Sequence, residues 1–86
     1  MEPRLSRHAV DEARRREIPL DLLASVIADP QQIVTPGATL AAYQSRTTDL
    51  AGKVYLIRAI VSTEETPGTV LTVYRTSKVQ KYWRSE

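Results

Sequence analysis

Arginine and lysine can neutralise a phosphate, and tyrosine and histidine can pass it a proton, without help from a metal. The C-terminal third of this 86-residue chain concentrates such groups: Arg58, Arg75, Lys78, Lys81 and Arg84 are interleaved with Tyr74, Tyr82 and Trp83, while the one histidine, His8, stands near the N-terminus. Together they suit RNA cleavage. The ribose 2′-hydroxyl supplies the nucleophile, so a protein need only accept its proton, stabilise the charged phosphorane and protonate the leaving 5′-oxygen. Arg58 is the strongest single candidate. It interrupts the apolar run Val54 to Val61, and a guanidinium there must find an anion or reach water to offset its desolvation. The plainer alternative is an arginine whose stem covers a sheet and whose head pairs with a Glu or a carbonyl.

Other chemistries lack their residues. The chain has no cysteine, which removes a disulfide framework, a zinc ribbon and a thiol nucleophile. Its acidic residues are scattered, so neither a divalent-ion site nor a carboxylate dyad is expected. The three glycines, Gly37, Gly52 and Gly68, read as turns and not as a phosphate loop, and no cofactor is implied. His8, the one imidazole, is a candidate acid or base, against the plainer reading of a surface residue near a helix start. Glu12 and Arg16 are one turn apart with the acid first and read as an intrahelical ion pair, although Arg16 is also placed to reach over a sheet edge toward RNA.

Charge is unevenly spread. Residues 1–68 hold eight Lys or Arg against nine Asp or Glu, whereas residues 69–86 hold four cations against Glu86 alone. Such an excess favours an anionic partner. With five arginines and no apolar stretch in the first twenty residues, neither a signal peptide nor a membrane span is expected, and a cytoplasmic protein is the default.

One small domain over 1–86 must position these groups. Ser6 can cap a helix reaching about Glu17, with Leu5, Ala9, Val10 and Ala13 on one arc; Pro19 and Asp21 open a second, with Leu22, Leu23, Val26 and Ile27 on one side, which Pro30 ends. Strands follow: Gln32 to Thr35, a type II turn centred on Pro36-Gly37, Thr39 to Arg46, Lys53 to Thr63 and Thr69 to Thr76. The expected fold is α+β, two N-terminal helices on a four-stranded, mainly antiparallel sheet. Pairing Thr63 with Thr69 puts Ile57, Ala59 and Val61 on one face with Leu71 and Val73, and Arg58 opposite with Thr72, Tyr74 and Thr76. In the tail, Val79, Tyr82 and Trp83 recur at i, i+3 and i+4. A helical turn there packs them on the body and projects Lys78, Lys81 and Arg84 outward to follow a phosphate backbone.

The segment Arg7-His8-Ala9 to Ile18 resembles the HAxxRxxxRxI pattern of a small bacterial family grouped with the RelE/ParE toxin superfamily. His8, Ala9, Arg16 and Ile18 match it, and Glu12 stands where a basic residue is usual. Leu71 to Lys78, followed by Lys81-Tyr82-Trp83, is similar to the family's closing strand and tail. The resemblance implies an ααββββ fold and a toxin paired with a proteic antitoxin. It also implies a metal-independent endoribonuclease acting on mRNA, free or on the ribosome, with Arg58, Tyr74, Lys78 and His8 as reacting groups. Arg16, Arg75, Lys81, Tyr82 and Arg84 are then RNA contacts. Relatives of ParE type imply the alternative of a non-catalytic toxin binding a protein such as gyrase; a non-toxic interaction module is the third reading.

Overall fold

Ser6 opens the first helix as its position predicts: its Oγ accepts the Ala9 N–H at 3.0 Å, and α1 covers Arg7–Arg15. The structure is a computed structural model describing residues 2–85. α1 stops short of the expected Glu17 because Glu17 turns left-handed, with φ 57°. Its N–H then donates to the Arg14 carbonyl at 3.1 Å and the Ile18 N–H to that of Ala13 at 2.8 Å, a Schellman closure that carries Ile18 into the core beside Ala13. The second helix, α2, covers Leu20–Ala28 and ends before Pro30, with Leu23, Val26 and Ile27 buried.

The rest is α+β as expected, but the sheet has five strands and is mixed. In chain order these are β1 (Arg4–Leu5), β2 (Gln32–Gly37), β3 (Leu40–Thr48), β4 (Val54–Ser62) and β5 (Thr69–Thr76), arranged spatially as β1-β5-β4-β3-β2. The four expected strands pair antiparallel. The fifth, β1, precedes α1 and runs parallel to β5, where Arg4 N–H donates to the Gly68 carbonyl at 2.8 Å and Ser6 N–H to that of Val70 at 3.3 Å. Two residues carry no period, which is why β1 escapes a pattern search. It also takes Leu5 out of the helix arc; Leu5 is exposed, and Glu12 occupies the buried arc with Ala9 and Ala13.

Two further expectations are corrected. Gly37 pairs with Leu40, so the β2–β3 turn is formed by Ala38 and Thr39, and Pro36-Gly37 lie within an irregular strand end. A type II turn needs φ > 0 at Gly37, and among the described residues only Gly52 of the glycines has it. In β4–β5 the expected register holds from Leu56↔Thr76 to Ile60↔Thr72, then slips at a bulge so that Val61 faces Val70 and Ser62 faces Thr69. Leu71 is the extra residue: it is 41% exposed and not in the apolar face, and Val70 is buried in its place.

Both helices lie on one side of the sheet. Their buried residues cluster with Ile57, Ala59, Val61, Val70 and Val73, which strand alternation and the bulge at Leu71 together put on a single face. The opposite face carries Ala42, Gln44, Leu56, Arg58 and Tyr74, and is covered in part by a C-terminal turn, α3 (Val79–Tyr82). Among the described residues, no helix is long and apolar enough to cross a membrane.

The bulge and the β1 contact meet at Gly68, where an added Cβ would sit 2.6 Å from the Ser62 carbonyl oxygen and 2.9 Å from Val61 Cγ1. Gly68→Ala is expected to destabilise the domain by about 1–3 kcal/mol, as overpacking does. Gly37→Ala, where nothing lies within 4 Å, should stay within about 0.5 kcal/mol. Urea denaturation of the two variants makes the comparison.

Candidate nucleic-acid interface

Arg58 and Tyr74 are direct cross-strand partners, as the register predicts. Arg58 is 7% exposed, and its contacts come from three directions. Its Nε donates to Gln44 Oε1 at 2.9 Å from β3, its Nη1 donates to the Tyr74 hydroxyl from β5, and the ring of Tyr82 in α3 lies 4.3 Å from its Cζ. The Tyr74 ring, 5.7 Å away, meets Tyr82 edge-on at 72°. No described carboxylate is within ion-pair distance of Arg58; the ion pairs among the described residues are those of Glu12.

Magnitudes explain how a buried cation survives on neutral partners. Removing an ion from water costs several kcal/mol after relaxation. Each hydrogen bond from a charged donor returns about 1.5–3 kcal/mol, and a desolvated cation–π contact about 2 kcal/mol. Two hydrogen bonds and the Tyr82 ring therefore balance the cost without an acid, and the positive charge is left uncancelled.

Gln44 makes this possible. It is fully buried and sits opposite Arg58 in β3–β4. Its carbonyl oxygen faces Arg58, and its amide nitrogen donates to Gln32 Oε1 at 2.8 Å and to the Tyr82 carbonyl at 3.1 Å. Gln32 then holds the tail backbone: Arg84 N–H donates to its Oε1 at 3.1 Å, and its Nε2 donates to the Arg84 carbonyl. Neither glutamine is among the sequence-predicted site residues. Gln44 shares the strand face of Leu40 and Ala42, and its role becomes visible once the β3–β4 register puts it across from Arg58.

The tail packs as its i, i+3, i+4 spacing predicts, with Val79, Tyr82 and Trp83 half-buried. Its outer side is cationic. An open groove is lined by Arg46, Lys78, Lys81 and Trp83, with Arg46 Cζ 4.2 Å from the Trp83 ring. Lys81 and Trp83 also line a second groove with Arg84. Lys78 therefore lies on the tail's groove, and Arg46, which the sequence reading did not include, joins the basic surface beside Trp83.

Three candidates fall elsewhere. His8 is exposed on α1, in the helix layer behind the sheet, and does not meet Arg58. Arg16 is engaged on the same helix, its Nε 3.0 Å from Glu12 Oε1. Arg15 also pairs with Glu12, and its hydrogen bond holds the Glu12 carboxyl below the usual carboxylate range. Arg75 faces the helix side, 5.0 Å from the Tyr55 ring. Among the described residues, no three His, Asp or Glu side chains gather as metal ligands. No family model, curated protein or solved structure matches the chain.

Replacing Gln44 alone with Leu leaves Arg58 Nε without its acceptor and takes the amide donor from Gln32 Oε1 and the Tyr82 carbonyl, and should cost about 3 kcal/mol. The double variant Gln44→Leu/Arg58→Met should recover much of that loss, because the buried charge goes with its partner. A double-mutant cycle by urea denaturation measures the coupling; additive losses would show that the pair does not act as a unit.

Proposed function

We propose that this protein is the toxin of a toxin–antitoxin pair and a metal-independent endoribonuclease, with Arg58 and Tyr74 as its reacting groups. The observation that carries the reading is the uncancelled Arg58 cation held against the Tyr74 hydroxyl. Support for the family side comes from the resemblance of Arg7 to Ile18 and of Leu71 to Trp83 to the RelE/ParE superfamily, and coarsely from the α+β class; the five-stranded mixed sheet departs from a plan of four antiparallel strands. The extra parallel strand β1 is an addition to that plan.

The chemistry follows from the donors. The 2′-oxygen attacks phosphorus as the P–O5′ bond breaks, leaving a 2′,3′-cyclic phosphate and a 5′-hydroxyl. Arg58 hydrogen-bonds the non-bridging oxygens as charge builds on them. The Tyr74 oxygen accepts from Arg58, so its own O–H remains free to protonate the leaving 5′-oxygen. The 2′-hydroxyl proton passes to water. His8 has no part in this arrangement. Arg46, Lys78, Lys81 and Arg84 attract the RNA backbone along the tail, and a cognate antitoxin covering that surface would carry acidic residues.

A second reading rests on a specific observation. Arg58 is roofed by Tyr82, so the exposed cationic tail could engage a protein target such as gyrase with no chemistry beneath it. Expression with and without the adjacent open reading frame, followed by mapping of RNA ends, separates the two. The nuclease reading expects growth arrest, new 5′-hydroxyl ends and rescue by the neighbour. In Arg58→Lys, which keeps the charge but loses the fork, cleavage should fall by about 10²–10³-fold. Growth arrest with intact RNA would favour the binding toxin, and no arrest would remove both.

A further inference from the structure

We infer that the C-terminal tail is a closed lid on the Arg58 site, and that Gln44 couples the lid to Arg58 so that a single-stranded nucleic-acid phosphate and the tail compete for the same guanidinium. The inference rests on the RNA reading above and adds its regulation.

Tyr82 makes two contacts that oppose ligand entry. Its ring lies against the Arg58 guanidinium, and its carbonyl takes a hydrogen bond from Gln44. With the tail seated, Arg58 keeps only 7% of its surface in contact with solvent, too little to admit a phosphate flanked by two nucleosides. The lid is lightly held. α3 is a single turn with no fully buried residue, and one turn has no stability of its own in water. What seats it is the Gln44 bond, the two Gln32–Arg84 bonds and the stacking of Trp83 on Arg46.

Gln44 is the coupling element because one planar amide serves both partners: its oxygen orients Arg58, and its nitrogen latches the tail. A phosphate approaching Arg58 replaces Tyr82 with a stronger, charge-assisted partner, and the same phosphate chain competes for Arg46, freeing Trp83. Linkage makes the effect reciprocal: whatever seats the tail weakens the anion, by the factor with which the open state is depleted.

The sequence supplies its own probe, since Trp83 is the only tryptophan and lies in the lid. The experiment titrates a short single-stranded deoxyoligonucleotide, which lacks the 2′-hydroxyl and cannot be cleaved by this route, into the intact protein while following Trp83 emission. A red shift that saturates with binding is expected. Tyr82→Ala should bind about tenfold more tightly, the factor that a ten-to-one closed-to-open ratio imposes on apparent affinity. Gln32→Ala, which removes both bonds to Arg84 and one of the two acceptors of the Gln44 amide while leaving Tyr82 and Arg58 in place, should move in the same direction and serves if Tyr82→Ala does not fold. Gln44→Glu, nearly isosteric, neutralises Arg58 and repels the Tyr82 carbonyl. It should keep its far-UV circular dichroism, show red-shifted emission before any ligand, and fail to bind.

Weaker or unchanged binding by both Tyr82→Ala and Gln32→Ala would overturn the lid, making the tail simply part of the binding surface. So would an unchanged Trp83 emission at saturation. Binding with lid release but no RNA cleavage leaves the lid standing and removes the nuclease; no binding by any form removes both.

Discussion

A guanidinium buried without a carboxylate has to be held by dipoles and π faces, and that requirement organises one whole face of this sheet. Arg58 draws the Gln44 oxygen from one neighbouring strand and the Tyr74 hydroxyl from the other. Because Gln44 is spent on Arg58 through its oxygen, its nitrogen must be satisfied elsewhere, and it turns to Gln32 and the tail. The tail's position is thus tied to the buried charge: Gln32 in β2 gives the Gln44 amide one acceptor, and the Tyr82 carbonyl of the returning tail gives it the second. Among the described residues, no buried side-chain nitrogen or oxygen is left without a partner.

The opposite face answers to a different rule, apolar packing under two short helices. α1 offers mostly alanine, so β5 approaches it closely through Val70 and Val73. The bulge at Leu71 reconciles the two faces. Below it, the register aligns Arg58 with Tyr74; above it, the slip turns Val70 into the core and brings β5 to Gly68, where β1 begins to pair. One inserted residue therefore serves the core without disturbing the polar pair.

What the sequence makes legible follows the range of the forces involved. Ser6 as a cap, Pro30 as a stop and the two-faced strand around Arg58 are local or periodic signals, and the structure has them. The Arg58–Tyr74 pairing was readable because matching the apolar faces of β4 and β5 sets the register there, although beside the loop the register slips. The β1 strand was not, having two residues whose partner lies at the far end of the chain. The Leu71 bulge was hidden because alternation alone favours an unbroken register. Gln44 and Gln32 were hidden because a glutamine in a strand carries no signal until the register across the sheet is known. The tail's packing was periodic and legible; that it would roof Arg58 was not.

The polar face depends on the state of a single side chain, Arg58, which nitrogen-15 NMR of the arginine guanidinium groups reads directly. If Arg58 is held as described, its Nε–H appears as a separate, slowly exchanging resonance at neutral pH, shifted by the Tyr82 ring current and moved when the deoxyoligonucleotide is added. An Arg58 signal that exchanges rapidly with water and coincides with those of the exposed arginines would contradict it, for the cation would then be neither buried nor held.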